Sequence, residues 1–197
     1  MKHDDKNQKL TVGFAFCGSF CTLARATEAL VALLDDYRII PIFSEKVQTL
    51  DTRFGKAAEI MAKIEALCER RAIRTIVEAE RIGPEKLFDI LVIAPCTGNT
   101  LSKIALGITD GTVPMAAKAH LRNARPLLIA PASNDALSAG LKNLGALAVR
   151  KNVYFVPFGQ DDPFLKPTSL VADFAKLPEA LKSALDGKQL QPILLRD

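Results

Sequence analysis

The chain is predicted to fold as a doubly wound α/β domain, a mostly parallel sheet with helices on both faces. Apolar runs of strand length alternate with stretches of helical periodicity along most of the sequence. The run Phe88–Ala94 (FDILVIA) is apolar almost throughout, as expected of a strand buried on both faces of a parallel sheet. The first apolar run ends at a Gly-Ser pair and leads into a helical pattern, which is how a parallel crossover unit begins.

The elements follow in order. Leu10–Phe16 (LTVGFAF) is a buried strand, and Cys21–Leu34 is a helix with Leu23, Ala26, Leu30, Leu33 and Leu34 on one stripe. Arg38–Phe43 (RIIPIF) is a second strand, in which Pro41 argues against a central position. Ser44–Gly55 reads as a loop, Lys56–Arg71 as a helix through Ile60, Ile64 and Leu67, and Ile73–Val77 as a third strand. Glu78–Lys86 is a loop with Gly83-Pro84 as its turn signal. Phe88–Ala94 is the fourth strand, followed by a loop at Pro95–Asn99 and helices at Thr100–Ile108 and Val113–Leu121. Pro126–Ala130 is a fifth strand, Asp135–Arg150 a helix and Val153–Val156 a sixth strand. The Pro-rich and polar segment Pro157–Ser169 carries no regular pattern, and a last helix is expected near Pro178–Leu185, stopped by Gly187.

The 197 residues suit one domain, expected over residues 10–192 behind a disordered polar segment at residues 1–9. Hydrophobic residues at 49% and charged residues at 24% are an ordinary globular mixture. The net charge of +4 is spread along the chain, which argues against a nucleic-acid partner. Cys17, Cys21, Cys68 and Cys96 form no CxxC pair, and His3 and His120 are the two histidines, so no metal site is expected. The amino terminus MKHDDKNQK lacks the apolar core of a secretory signal, and no apolar run reaches a membrane span. A cytoplasmic protein with free thiols is expected.

In an open parallel sheet, ligands bind beyond the carboxyl ends of the strands, so the residues after each strand are the candidates. After the first strand stand Gly18 and Ser19, a backbone that lets N–H groups approach an anion and a hydroxyl that donates to it. The loop is not a Walker A loop, because no Lys follows it, and no GxGxxG is present. A plain strand–helix turn accounts for the same residues. Ser44, after the second strand, is a further donor candidate. After the fourth strand come Thr97, Asn99 and Thr100, which serve either as helix caps or as partners for the polar edge of a planar ligand. Ser133 and Asn134 follow the fifth strand in a parallel arrangement, and the two loops are expected to line one pocket. Glu78 and Glu80 are the acid–base candidates, with a surface ion pair as the alternative. Lys103, Lys118, Arg122 and Arg125 are candidate carboxylate partners, of which Lys118 and Arg122 share a helix face.

Gly18-Ser19, Ser44, Ala94–Thr100 and Pro131–Asn134 resemble the sites of the homo-oligomeric, flavin-containing cysteine decarboxylase superfamily. Thr52–Gly55, Ile76–Glu80, Ala116–Lys118, Leu121–Asn123, Asn134–Leu137, Tyr154–Asp161 and Gly187–Pro192 narrow the resemblance to the dipicolinate synthase B-subunit family, over roughly Leu10–Pro192. The resemblance implies a Rossmann-like, flavodoxin-like fold, FMN as cofactor and a homo-oligomer. It implies a partner, the dipicolinate synthase A-subunit, carrying a nicotinamide nucleotide. It also implies a small dicarboxylate ligand and oxidation of a dihydrodipicolinate-type precursor in the mother cell of a sporulating bacterium. Glu78 or Glu80 would then take a ring proton, and Arg53 or Lys118 would offset a substrate carboxylate. Two departures stand out. Val77–Glu80 has no His where decarboxylases carry one, and Ser133 replaces their usual Met. Two alternatives accompany the oxidoreductase role. One is a non-catalytic FMN- or ligand-binding protein that stabilises or activates the A-subunit. The other is an FMN-dependent decarboxylase or flavin prenyltransferase-like enzyme.

Overall fold

A computed structural model describes residues 9–195 of the chain. The disorder expected over residues 1–9 falls almost wholly outside them. In chain order the elements are β1 (Thr11–Phe16), a 3-10 turn (Phe20–Thr22) running into α1 (Leu23–Val31), β2 (Arg38–Phe43), α2 (Glu45–Thr49), α3 (Ala57–Cys68), α4 (Ile76–Glu80) and α5 (Ile82–Glu85). Then come β3 (Ile90–Cys96), α6 (Gly98–Leu106), α7 (Thr112–Leu121), β4 (Leu127–Ser133), α8 (Leu141–Ala148), β5 (Val153–Phe155), β6 (Phe158–Asp162), β7 (Lys166–Ala172), a 3-10 turn (Phe174–Lys176) and α9 (Leu177–Leu185).

The parallel part of the sheet runs β2-β1-β3-β4-β5. Its three inner strands are almost wholly buried, which explains their near-continuous apolar sequence. Pro41 is tolerated because β2 borders the sheet. Its carbonyl still accepts from the Ile73 amide, and a proline there forfeits no ladder donor. Gly13 is a packing glycine: a Cβ there would come within 2.5 Å of the Phe88 ring. On one face α1 and α9 pack over β3 and β4, and on the other α7 lies against β2, β3 and β4 with α4, α5 and α6 packed onto it.

Five expectations are corrected. Ser44–Gly55 and Glu78–Lys86, read as loops, contain the short helices α2 and α5. Ile73–Val77 is not a strand: a single bridge joins Ile42 and Ile73, and Ile76–Glu80 is helical. The reason is a capping box, in which the Thr75 hydroxyl accepts from the Glu78 amide and the Glu78 carboxylate accepts from the Thr75 amide. Asp135–Arg150 is helical only from Leu141, because Ser138 and Gly140 both turn back to donate to the Asp135 carbonyl. The segment Pro157–Ser169, read as irregular, lies within the hairpin β6–β7. Its β7 strand pairs antiparallel with the carboxyl end of β4 through Ala132–Val171 and Ser133–Leu170.

Candidate functional site

The carboxyl ends of β1, β2, β3 and β4 lie side by side. The Ser44 amide donates to the Phe16 carbonyl at 3.0 Å, and the Cys17 amide donates to the Pro95 carbonyl at 3.3 Å. Cys96 is in register with Pro131, so the loops after β3 and β4 leave the same edge of the sheet. Gly98 allows them to approach: a Cβ there would sit 2.5 Å from the Ser133 hydroxyl and 2.8 Å from the Asp135 carboxylate.

Two adjoining hollows share Gly18 and Thr97 along this edge. The smaller, about 300 Å³, is lined by Ser44, Lys46, Asn99, Thr100 and Lys103 among others. The larger, about 590 Å³, is lined by Ser19, Arg25, Arg53, Ser133, Asn134 and Lys166 among others. The sequence-derived candidates Thr97, Asn99, Thr100, Ser133 and Asn134 thus lie at one sheet edge, divided between the two hollows. Lys118 is exposed on α7 and lines neither; Glu78 and Glu80 also lie outside both.

The hydroxyls differ in what they have left to offer. Thr97 caps α6 by accepting from the Thr100 amide at 3.3 Å, and its own proton goes to the Thr100 hydroxyl at 3.1 Å. Thr100 in turn donates to the Cys17 sulfur at 3.3 Å. The Ser19 hydroxyl accepts from Thr22 at 3.0 Å and has the Cys21 sulfur 4.0 Å away as its other neighbour. Ser44 Oγ is buried without a hydrogen-bond partner. A buried unpaired hydroxyl is costly unless a ligand completes it. With Lys46 and Gly18 beside it, this corner fits a phosphate-bearing group.

The titratable groups are mostly structural. Burial pushes the Cys17 thiol up to about 11 despite the Thr100 hydrogen bond, and burial also raises Cys96 well above its ordinary value. Neither is a thiolate at neutral pH. A general base at Glu78 requires a raised pKa, whereas hydrogen bonds from the Arg74 amide and from Thr75 lower it. Its premise also changes: Glu78 and Glu80 stand on a helix rather than on a strand-end loop. Arg25, Asp161, Lys166 and Ser169 were not singled out from the sequence. Arg25 sits in an ordinary helix pattern, and the others come from a hairpin without strand periodicity. Among the described residues no cluster of three or more His, Cys, Asp or Glu could hold a metal ion, and no helix is long and apolar enough to cross a membrane.

The family model described as Flavoprotein matches residues 1–176. The dipicolinate synthase B-subunit of Bacillus subtilis (strain 168) is 44% identical over 187 residues, covering 94% of this chain and 94% of that protein. The crystal structure of the dipicolinate synthase B-subunit from Bacillus halodurans C matches with a TM-score of 0.87 and 42% identity, covering 95% of this chain and 97% of that one. Burkholderia xenovorans DmrB in complex with FMN shares the fold at a TM-score of 0.65 and 18% identity, covering 91% and 97% of the two chains.

Proposed function

The chain belongs to the flavoprotein family and is a close homologue of the dipicolinate synthase B-subunit, and from that premise we propose that it binds FMN and works with the A-subunit of that enzyme as an oxidoreductase. The reaction is oxidation of a dihydrodipicolinate-type precursor to dipicolinate, in the cytoplasm of the mother cell of a sporulating bacterium. The A-subunit carries the nicotinamide nucleotide, and this chain forms a homo-oligomer.

Ser44 carries the cofactor reading. Its buried hydroxyl faces a corner with Gly18 and Lys46, and a phosphate would accept from it. Gly18 borders the same corner, and Ser19, in the lining of the adjoining hollow, supplies a further donor from the other side of it. Thr97, Asn99 and Thr100, at the cap and first turn of α6, and Ser133 and Asn134, at the end of β4, border the ring system. FMN, when bound, supplies a two-electron acceptor. The chain orients a flat dicarboxylate against that ring and holds its charge.

A second reading is a non-catalytic protein that binds FMN or the ligand and activates the A-subunit. The capping box of Glu78 favours it, because that carboxylate already accepts from two backbone amides and the Thr75 hydroxyl. Flavin absorbance of the purified protein, and FMN titration of flavin-free protein, test the cofactor. Dipicolinate formation by the A-subunit with and without this chain separates the two readings. An equal rate without this chain removes its catalytic role.

A further inference from the structure

The larger hollow carries three cationic side chains, Arg25, Arg53 and Lys166, and one carboxylate, Asp161. Lys166 is tied to Asp161 at 2.6 Å, so that pair is neutral overall. Two positive charges remain, on Arg25 and Arg53, and among the described residues neither forms an ion pair. They come from different elements. Arg25 stands in the first turn of α1, its guanidinium 5.3 Å from the centre of the Phe174 ring. Arg53 stands in the turn closed by Thr52 and Gly55, its guanidinium 4.8 Å from the centre of the Phe54 ring. Stacking on a ring limits the freedom of a guanidinium and leaves its planar N–H fork available to a carboxylate. Ser133, Asn134 and Ser169 add uncharged polar groups to the same lining, the Ser133 hydroxyl donating to the Asp135 carboxylate at 2.5 Å.

The smaller hollow differs in charge. Lys103 is paired with Asp110 at 2.8 Å, and Glu45 accepts from the Thr112 amide at 2.7 Å and from its hydroxyl at 2.8 Å. Lys46 stands beside the unpaired Ser44 hydroxyl, and because the neutral Thr112 does not cancel the Glu45 charge, this hollow has no net charge. The unpaired Ser44 hydroxyl, with Lys46 and Gly18 beside it, suits a phosphate there, whereas the lining of the neighbouring hollow has an excess of two positive charges for a second anion.

We infer that Arg25 and Arg53 form a two-point clamp for a planar dianion, each guanidinium taking one carboxylate, and that this pair makes the site selective for dicarboxylates over monocarboxylates. The inference rests on the function proposed above, which puts a flat dicarboxylate at this sheet edge, and it names the groups that choose it. Lys118, the other basic candidate from the sequence, has no part in the clamp because it lies outside the hollow.

The test is calorimetric titration of the wild-type protein, loaded with FMN and free of it, with pyridine-2,6-dicarboxylate and with pyridine-2-carboxylate. The wild type should favour the dicarboxylate by about tenfold or more, since one charge-assisted contact is missing in the monocarboxylate. Arg25→Gln and Arg53→Gln should each weaken dicarboxylate binding by about tenfold, and the double variant should bind both acids alike. Lys118→Gln should leave both affinities unchanged. FMN affinity, read by flavin fluorescence, should stay within about twofold of wild type in every variant. Equal binding of the two acids by wild type, or unchanged dicarboxylate affinity in the double variant, overturns the clamp. Loss of FMN in place of the dicarboxylate assigns the arginines to the cofactor phosphate and also overturns it. Failure of wild type to bind FMN sinks the cofactor reading alone, and titration of the flavin-free protein then decides the clamp.

Discussion

Ser44 and Ser19 are both hydroxyls at strand ends, yet their removal should act with different signs on stability. Ser44 Oγ is buried and unpaired, so Ser44→Ala removes a desolvated polar atom that nothing in the protein satisfies. The ligand-free variant should melt at the same temperature as wild type or slightly higher, while FMN binding weakens by about tenfold, as for loss of one hydrogen bond to a charged acceptor. A lower melting temperature with unchanged FMN affinity would assign the hydroxyl to the fold. The Ser19 hydroxyl instead accepts from Thr22 at the start of the 3-10 turn. Ser19→Ala should therefore cost both affinity and about 1 kcal/mol of stability. At Gly18, a Cβ would already press on Lys46 and Phe20 at 3.3 and 3.4 Å. Gly18→Val should block the anion corner, which FMN titration reads directly.

The elements legible in the sequence are those the core writes. Leu10–Phe16, Arg38–Phe43, Phe88–Ala94 and Pro126–Ala130 match β1, β2, β3 and β4 closely because burial on both faces leaves little choice but apolar residues. Their ends carry Gly18, Ser44, Thr97 and Ser133, so the edge that holds the candidate site was legible with them. The hairpin β6–β7 was not, because most of its outer half is exposed and Gln160, Asp161, Asp162, Lys166 and Pro167 show no alternation. Asp161, Lys166 and Ser169, which line the larger hollow, were missed for the same reason. The helix at Ile76–Glu80 did carry a signal: Thr75 and Glu78 are spaced as a capping box, which the β-branched run Ile76-Val77 obscured. Glu78→Ala should accordingly destabilise the protein by about 1 kcal/mol in urea unfolding, in the range of a lost cap. Glu78→Gln and Glu80→Gln should leave dipicolinate formation by the two reconstituted subunits near wild type. A large loss of turnover in Glu78→Gln without loss of stability would return the residue to catalysis.

The whole molecule reports on His120 through pH. The ring is 1% exposed, packed near Phe88, and its Nε2 donates to the Pro126 carbonyl at 2.9 Å, tying α7 to the start of β4. Burial is the main cause of its low pKa, about 4 against an ordinary 6.5; the Arg125 charge adds to the depression, while the Pro126 carbonyl and Asp89 oppose it. The unfolded chain takes up this proton first, so acid favours unfolding. The histidine's contribution is complete above pH 6.5 and is lost as pH falls towards 4. At about 1.4 kcal/mol per pH unit the full loss is on the order of 3 kcal/mol. The lowered carboxylates Glu65 and Glu78 depart from an ordinary value of 4.5, so their loss lies mainly below that pH. The interval from pH 6.5 to 4.5 therefore isolates the histidine from them. Because α7 packs on α4, α5 and the sheet, protonation there should be felt as a shift of the cooperative transition. Urea unfolding at pH 7.5, 6 and 5 should show wild-type stability falling below pH 6.5 with a slope approaching one proton. His120→Gln should be less stable at pH 7.5 and nearly flat over the same range. An equal slope in the variant would show that another group takes up the proton.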